Sequence, residues 1–545
     1  MKEYILKTLK GLVACDSISC TEKELSASDY VYDRLLEMPY FKENPDLVGK
    51  YQIPNDAYGR YVVYGAVIGR SKDTVVLSGH TDVVSVEVYG EAEPLAFTIG
   101  EELENKLSEM DLSDQARADL ESGEWIWGRG SADMKAGDVL NLALTKKYSE
   151  LASKGELKGS ILLLALPDEE SYSAGMRVAS KIMKKLKDDK GLNYRLLIDP
   201  EPAAEMGESQ IMSIGSVGKL QPVVIAQGEV AHFAHCFDGI SALNILSGIY
   251  KKTQGSLDFA DFYEGEATVP PSWGNMKDMK LCYDVSLPFR GYGFMTVLSF
   301  KKTPDEIIGM LRDISKNVLD EEISILNDTY QEYKKMSKFA NKEKIEFDTA
   351  VYTVEELCKI LRERDGDKFE EFFKKIYDEA GKKILEGESY PVATVYMMDE
   401  LLTYADIKKP LVLIGIAPPY YPSTHSNMVE GHEGFGEKVF EFASKISEKE
   451  HSQKLVFENY FLGISDNSYT SVEEMDFERL KSNFPMWGKL YEIDFESIRE
   501  VSVPSILYGP IGRDYHQWTE RVNKRSLLEV MPDMLDRVIN FVWDN

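Results

Sequence analysis

The sequence predicts an α/β protein with a second, α+β domain inserted into it, and three observations carry that expectation. Continuous apolar runs of strand length alternate with helical spacing through the first part of the chain, as βαβ units require. Several of those runs release a histidine or a carboxylate just past their last residue, at the sheet edge where open α/β folds collect ligands. From Gly218 the order becomes β-α-β-β-α, which suits a small antiparallel sheet with helices on one face. The 545 residues exceed what one hydrophobic core usually supports, so at least two domains are expected.

Taken in order, MKEYILKTLKGLVACDS mixes charged residues among apolar ones and reads as an amphipathic helix rather than a signal peptide. Thr21-Glu22-Lys23-Glu24 has capping-box spacing and opens a helix through Leu36. Strands are expected at 61–68 and 74–77. The second runs into Ser78 and Gly79, then delivers His80 and Asp82 to the strand's C-terminal edge. Two residues apart, this pair would share a face, so one can hold a metal while the other steadies it. A half-buried histidine beside a solvated aspartate is the plainer alternative. The acidic stretch 100–123 is read as a helical surface insertion. In WIWGRGSADMKAGDVLNLALTKKY the glycines stop at Gly130 and helical spacing starts from Met134, which sets Asp133 at a loop-to-helix junction as a cap or a ligand.

Strand 161–166 ends at Pro167 and is followed by Asp168, Glu169 and Glu170, three adjacent acids that repel one another unless solvent or a cation screens them. Helix 174–187 and strand 194–198 lead to Asp199-Pro200-Glu201-Pro202. The second domain is expected to hold strand 220–226, helix 239–250, strands 279–287 and 295–300, and helix 304–319. Charged helical sequence follows at 327–344 and 354–385. Strand 411–417, helix 435–449 and strand 503–508 are assigned to the first domain. The last strand enters GPIGRDYHQWTER, which places His516 in a loop before a closing helix at 527–542. The expected boundaries are 1–217, 218–330 for the insertion, and 331–545.

Composition excludes several classes. Lys plus Arg number 63 against 92 Asp plus Glu, a net charge of −29, which argues against nucleic acid or an anionic membrane as partner. The five cysteines are odd in number and lack CxxC spacing, so neither a disulfide framework nor a thiolate zinc site is expected. No run approaches the roughly 20 apolar residues of a membrane span, and a reducing cytoplasm is the simplest location. The glycines at Gly128 and Gly130 lack the strand-GxGxxG-helix context of a dinucleotide site.

Together His80, Asp82, Asp133, Glu169, Glu170, Asp199 and His516 form a nitrogen and oxygen donor set suited to zinc, manganese or cobalt. Their motifs are SGHTDVV (78–84), WGRGSADMKAG (127–137), LPDEES (166–171), IDPE (198–201), GEVAHFAHCFDGISAL (228–243) and GPIGRDYHQWTE (509–520). In order and approximate spacing this resembles the M20 zinc metallopeptidases and amidohydrolases over nearly the whole chain. The length and long C-terminal half look most like the arginine-utilisation (RocB-like) branch.

The resemblance implies a mixed-sheet, di-zinc exopeptidase-like catalytic domain with an inserted, ferredoxin-like α+β lid. It further implies two divalent metal ions, Zn2+ first and Co2+ or Mn2+ as alternatives. His80 and Asp199 would bind the first, Glu170 and His516 the second, with Asp133 bridging. Glu169 would be the general base and Asp82 the partner of His80. His232, with His235 as a nearby competitor, would stabilise the oxyanion, often from a neighbouring subunit, so a homodimer through the lid is implied. The substrate would be a small molecule or short peptide.

Arg290 could clamp a substrate carboxylate bidentately, or form a surface salt bridge. Asn275 and Arg513 are further candidates. His425, His432 and His451 match no motif. The stretch near 100–123 and the helices of 327–385 lack counterparts in shorter enzymes of this kind, and the first could add a cleft wall or an interface. A metal-binding or ligand-sensing protein without turnover is the alternative from another class.

Overall fold

The computed structural model describes residues 1–202, 205–206 and 209–545, which divide into two compact units. The first comprises Met1–Val217, Pro422–Glu473 and Ile493–Asn545; the second comprises Gly218–Tyr421 and Glu474–Glu492.

The first unit is built on a mixed sheet. Its strands run Val48–Gln52, Tyr61–Val67, Ser160–Leu166, Asp73–His80, Asn193–Asp199, Ser505–Leu507, Ser209–Ser213 and Lys454–Glu458, with Glu205–Met206 pairing on Ser209–Ser213. Four central strands, 160–166, 73–80, 193–199 and 505–507, are mutually parallel. In register, His80 lies beside Leu166, Leu77 beside Ile198, and Leu507 beside Asp199. All four strands therefore end at one edge, and whatever follows them in sequence gathers there. Ser160–Leu166 is buried along its whole length, as a parallel strand covered on both faces requires. Helices Lys135–Ser153 and Met531–Asp544 pack on Asp73–His80, and helix Ala174–Lys190 packs on Tyr61–Val67 and Ser160–Leu166.

The stretch read as an acidic insertion folds into helices Glu101–Ser108 and Asp114–Ser122. Their apolar sides, Leu103, Leu107 and Ala116, join Tyr89, Trp125, Trp127 and Ile511 in a separate small core, with Trp518 packed against it. Gly512–Arg513, Arg521–Asn523 and Trp125–Trp127 form a three-stranded antiparallel sheet beside it.

The second unit has strand order Ser272–Asp278, Arg290–Ser299, Pro222–Gln227, Leu411–Ile416 and Ala350–Thr353, with Gly218–Leu220 also pairing on Arg290–Ser299. All neighbours are antiparallel except the last pair, 350–353 with 411–416. Helices Ala242–Thr253 and Pro304–Met336 complete a βαββαβ arrangement whose fourth strand is Leu411–Ile416. That strand was expected in the first unit. A continuous apolar run announces burial but not which sheet it enters, and the helices inserted ahead of it, Val354–Asp365, Asp367–Leu385 and Tyr390–Ala405, obscured the return. These helices place Leu357, Met398 and Leu401 against Val223, Ile225 and Leu413.

Two local expectations also differ. The second strand of this unit is Ser272–Asp278 rather than 279–287, because SWGNMKD is a polar edge strand with little apolar content to signal it. The capping box at Thr21 does not form: Glu24 is fully buried and turned inward onto Arg60. Among the described residues no helix is long and apolar enough to cross a membrane.

Candidate metal centre

The edge where the parallel strands end carries the chemistry. His80 is the last residue of its strand and is 1% exposed. Its Nε2 lies 3.1 Å from Asp133 Oδ1 and 3.5 Å from Glu201 Oε1. Asp133 Oδ2 lies 3.3 Å from His516 Nε2, which is also 3.1 Å from Glu170 Oε2. Two donor triads result, His80–Asp133–Glu201 and Asp133–Glu170–His516, each compact enough to surround one ion and joined through the two oxygens of Asp133.

Asp199, expected as the partner of His80 in the first site, is in neither triad, and Glu201 stands in that place. Asp199 is the last residue of its strand, 1% exposed, with Oδ1 lacking a hydrogen-bond partner. Glu201 lies beyond Pro200, outside the strand and one methylene longer, and it reaches His80. The signal was available in the same IDPE motif, since a residue past the strand end is freer to face the crevice than one still pairing in it.

Asp82 also differs in detail. The nearest acceptor to His80 Nδ1 is the Asp82 backbone carbonyl at 3.0 Å, with the carboxylate at 3.6 Å. That carboxylate instead accepts the backbone N–H of Glu169 at 3.0 Å and of Glu170 at 3.2 Å, and the Ser19 hydroxyl at 2.5 Å. It thus anchors the loop bearing two functional acids as well as orienting the imidazole through its own backbone.

The three adjacent acids avoid mutual repulsion by facing different ways. Asp168, at φ 72°, accepts Arg60 Nη1 at 2.6 Å and the Ala174 N–H at 3.1 Å. Arg60 also binds Glu24 and Asp56, so the cation among the acids is a buried guanidinium. Glu169 turns toward His80, with Oε2 3.9 Å from Nε2, and Glu170 turns toward His516.

A second buried ion pair, absent from the sequence reading, ties the two ligand loops together. Glu520 Oε1 accepts the backbone N–H groups of Ala132 at 3.0 Å and Asp133 at 3.1 Å, while Oε2 accepts Arg129 Nη1 at 2.6 Å. Arg129 Nη2 in turn donates to the His516 carbonyl at 3.0 Å. Both side chains are essentially inaccessible, which makes the Coulomb and hydrogen-bond terms strong and the cost of losing one partner high.

Electrostatically the site is crowded with acid. Burial, with Glu201, Asp466 and Glu170 nearby, pushes Glu169 well above the ordinary carboxyl range against the opposing pull of His80. Burial and Asp133 push Glu170 up to about 7, and burial with Asp133, Asp199 and Glu170 raises Glu201 well above the ordinary carboxyl range against the pull of His80. Burial alone would raise Asp133, but His516 and His80 hold it low. This surplus of carboxylate around two imidazoles fits divalent cations, whose charge would relieve the repulsion, and the N/O donors without thiolate fit zinc, manganese or cobalt.

The remaining expected site residues lie in the second unit. His232 is exposed, and its Nδ1 accepts the Ala234 N–H at 3.0 Å, which sets the proton on Nε2. Arg290 is committed internally: it donates to Gln227 Oε1 at 2.9 Å, Asp399 Oδ1 at 2.7 Å and Thr403 Oγ1 at 2.8 Å, fixing helix Tyr390–Ala405 to the sheet. Asn275 is half-buried at a bulge in the edge strand.

The family model for Peptidase family M20/M25/M40 matches residues 76–539. Protein RocB of Bacillus subtilis (strain 168) is 28% identical over 534 residues, covering 97% of this chain and 93% of its own. YqjN of the same organism, an uncharacterized protein, is 29% identical over 544 residues, covering 99% and 96%. The crystal structure of a tripeptidase from Staphylococcus aureus is similar in fold, with a TM-score of 0.53 at 12% identity over 100% of this chain and 99% of that one.

Proposed function

The chain belongs to Peptidase family M20/M25/M40, and on that premise we propose that this metallohydrolase cleaves an amide or peptide bond in a small peptide or N-acyl amino acid, with Glu169 as general base. The observation that carries the reading is the pair of donor triads sharing Asp133, with the Glu169 carboxylate beside them. Two divalent cations held by His80, Asp133, Glu201, Glu170 and His516, Zn2+ first and Co2+ or Mn2+ as alternatives, would supply acidified water and a polarised substrate carbonyl.

The protein groups do the rest. Glu169 takes a proton from the attacking water and passes it to the departing amine nitrogen as the C–N bond breaks. Its position between acids and His80 supports that role, because the acids raise its proton affinity and the imidazole lowers it. His232, exposed with its proton on Nε2, is the proposed oxyanion donor. A homodimer through the second unit is the proposed assembly: Ser272–Asp278 is an open edge strand, and Met276, Leu281, Tyr283 and Val285 in and after it are exposed.

A catalytically inert, ligand-sensing protein is the competing reading, and the presence of all five donors together with Glu169 favours turnover. The test is a panel of dipeptides and N-acyl amino acids with metal-loaded protein. Glu169→Gln is expected to keep both ions and lose about 10²–10⁴-fold in kcat. A wild-type protein that holds two ions per chain and turns over nothing in the panel favours the sensing reading.

A further inference from the structure

The acidic insertion has a role that its surface location conceals. Its second helix, Asp114–Ser122, carries Asp119, which is 7% exposed. Arg513 Nη1 donates to Asp119 Oδ1 at 2.8 Å and to Oδ2 at 2.6 Å. Arg521 reaches the same carboxylate, Nε at 2.8 Å from Oδ2 and Nη2 at 2.7 Å. Arg513 and Arg521 lie directly opposite each other in the hairpin formed by Gly512–Arg513 and Arg521–Asn523. The loop that this hairpin closes contains His516.

Like charges directly opposite each other in an antiparallel pair are destabilising, and a two-residue strand has too few ladder bonds to hold itself. Within the loop, Asp514 and His516 both occupy the left-handed region, at φ 55° and 63°, a conformation that non-glycine residues keep only when their surroundings enforce it. Asp514 receives Arg521 and the Thr519 hydroxyl, the latter at 2.7 Å. Arg521 lies over the Trp125 and Trp127 rings and Arg513 over Trp125, while Trp518, two residues past His516, packs on the core that the insertion builds.

We propose that Asp119, carried by the insertion, is a positioning residue for His516, clamping the two arginines at the base of its loop so that the imidazole stays on Asp133 and Glu170. On this account the insertion is neither a cleft wall nor an interface but a brace for one half of the metal centre. The inference rests on the reading of His516 as a metal ligand. Arg513, weighed above as a substrate contact, belongs to the brace.

The test is Co2+ titration of full-length, metal-stripped wild type, Asp119→Asn, Asp119→Glu and His516→Ala, following heat and visible absorption, with circular dichroism and thermal melts alongside. Asp119→Asn is expected to fold, to keep one site at wild-type affinity and to weaken the other by about 10–100-fold, as partners that orient a ligand typically do. Asp119→Glu is expected to recover part of that loss. Two sites of unchanged affinity in Asp119→Asn would overturn the proposal, and so would equal weakening of both sites with a lowered melting temperature, which marks a merely structural group. If Asp119→Asn does not fold, Arg513→Gln, which removes one arm and leaves the Arg521 pair, is judged by the same criteria. If His516→Ala itself retains two sites of wild-type affinity, the ligand reading has failed, an outcome distinct from failure of the brace.

Discussion

Exchange of one carboxylate for its amide discriminates Glu201 from Asp199 as the fifth donor. Glu201 Oε1 is 3.5 Å from His80 Nε2 and belongs to the triad that shares Asp133, whereas Asp199 belongs to neither group. Glu201→Gln therefore removes one of three charged or basic donors from the His80 side while keeping the side chain's volume. A residue that merely orients a metal ligand typically costs 10–100-fold in affinity when lost, so loss of a donor itself sets a floor of about 100-fold, or about 2.7 kcal/mol. Asp199→Asn does the opposite: burial and Asp466 already hold that carboxyl well above its ordinary range, and neutralising it removes repulsion without removing a donor. Metal content by elemental analysis after equilibration at limiting free Zn2+ should fall from about two ions per chain to about one in Glu201→Gln and stay at about two in Asp199→Asn. The reverse pattern, with Asp199→Asn losing an ion and Glu201→Gln keeping both, refutes the assignment.

Two further outcomes follow from the electrostatics. Hydrogen bonds to Asp133 and Glu170, against the opposing effect of burial, push His516 up to about 10 in the metal-free protein. An incoming cation must displace that proton and the one partly held by Glu170, so affinity at the His516 side should rise with pH through neutrality, and calorimetry in buffers of different ionisation heat should reveal release of at least one proton; metal binding with no buffer dependence contradicts this. In the second unit, burial would raise Asp261, but the N–H groups of Lys301 and Lys302 and the Lys302 ammonium outweigh it and hold its carboxyl low. A depressed carboxyl stabilises the fold above its unfolded-state value and loses that contribution as the pH falls through its folded-state value. Asp261→Asn should thus cost about 1–2 kcal/mol at pH 7, with the gap to wild type closing toward pH 3 in urea melts; a gap constant with pH refutes it.

Strand existence was legible in the long apolar runs but not in the short buried strand Trp125–Trp127, and strand membership was not legible. The runs at Asp73–His80, Ser160–Leu166 and Asn193–Asp199 advertise themselves because parallel strands are apolar on both faces. Leu411–Ile416 advertises itself equally and was assigned to the wrong unit, since its partner, Pro222–Gln227, is set by long-range pairing that no local pattern encodes. Ser272–Asp278 failed for the converse reason: an edge strand with a solvent-facing side needs few apolar residues.

The centre divides along similar lines. Candidate donors emerge from local motifs: His80, Glu170 and His516 follow or end apolar strand-like runs, and Asp133 stands at a loop-to-helix junction. The buried charges packed around the loops that carry those candidates could not be picked out. Arg129 and Glu520 are 391 residues apart in sequence, and Asp119 meets Arg521 across 402. In one dimension each is an ordinary charged residue in a charged protein. Their meaning arises only when the hairpin of Gly512–Arg513 and Arg521–Asn523 folds back onto Trp125–Trp127. Burying the four charges of Arg129, Glu520, Asp119 and Arg521 there is costly unless every partner is present. Loss of any one member should therefore propagate to the loop that carries His516, even though none of them is among the candidate donors.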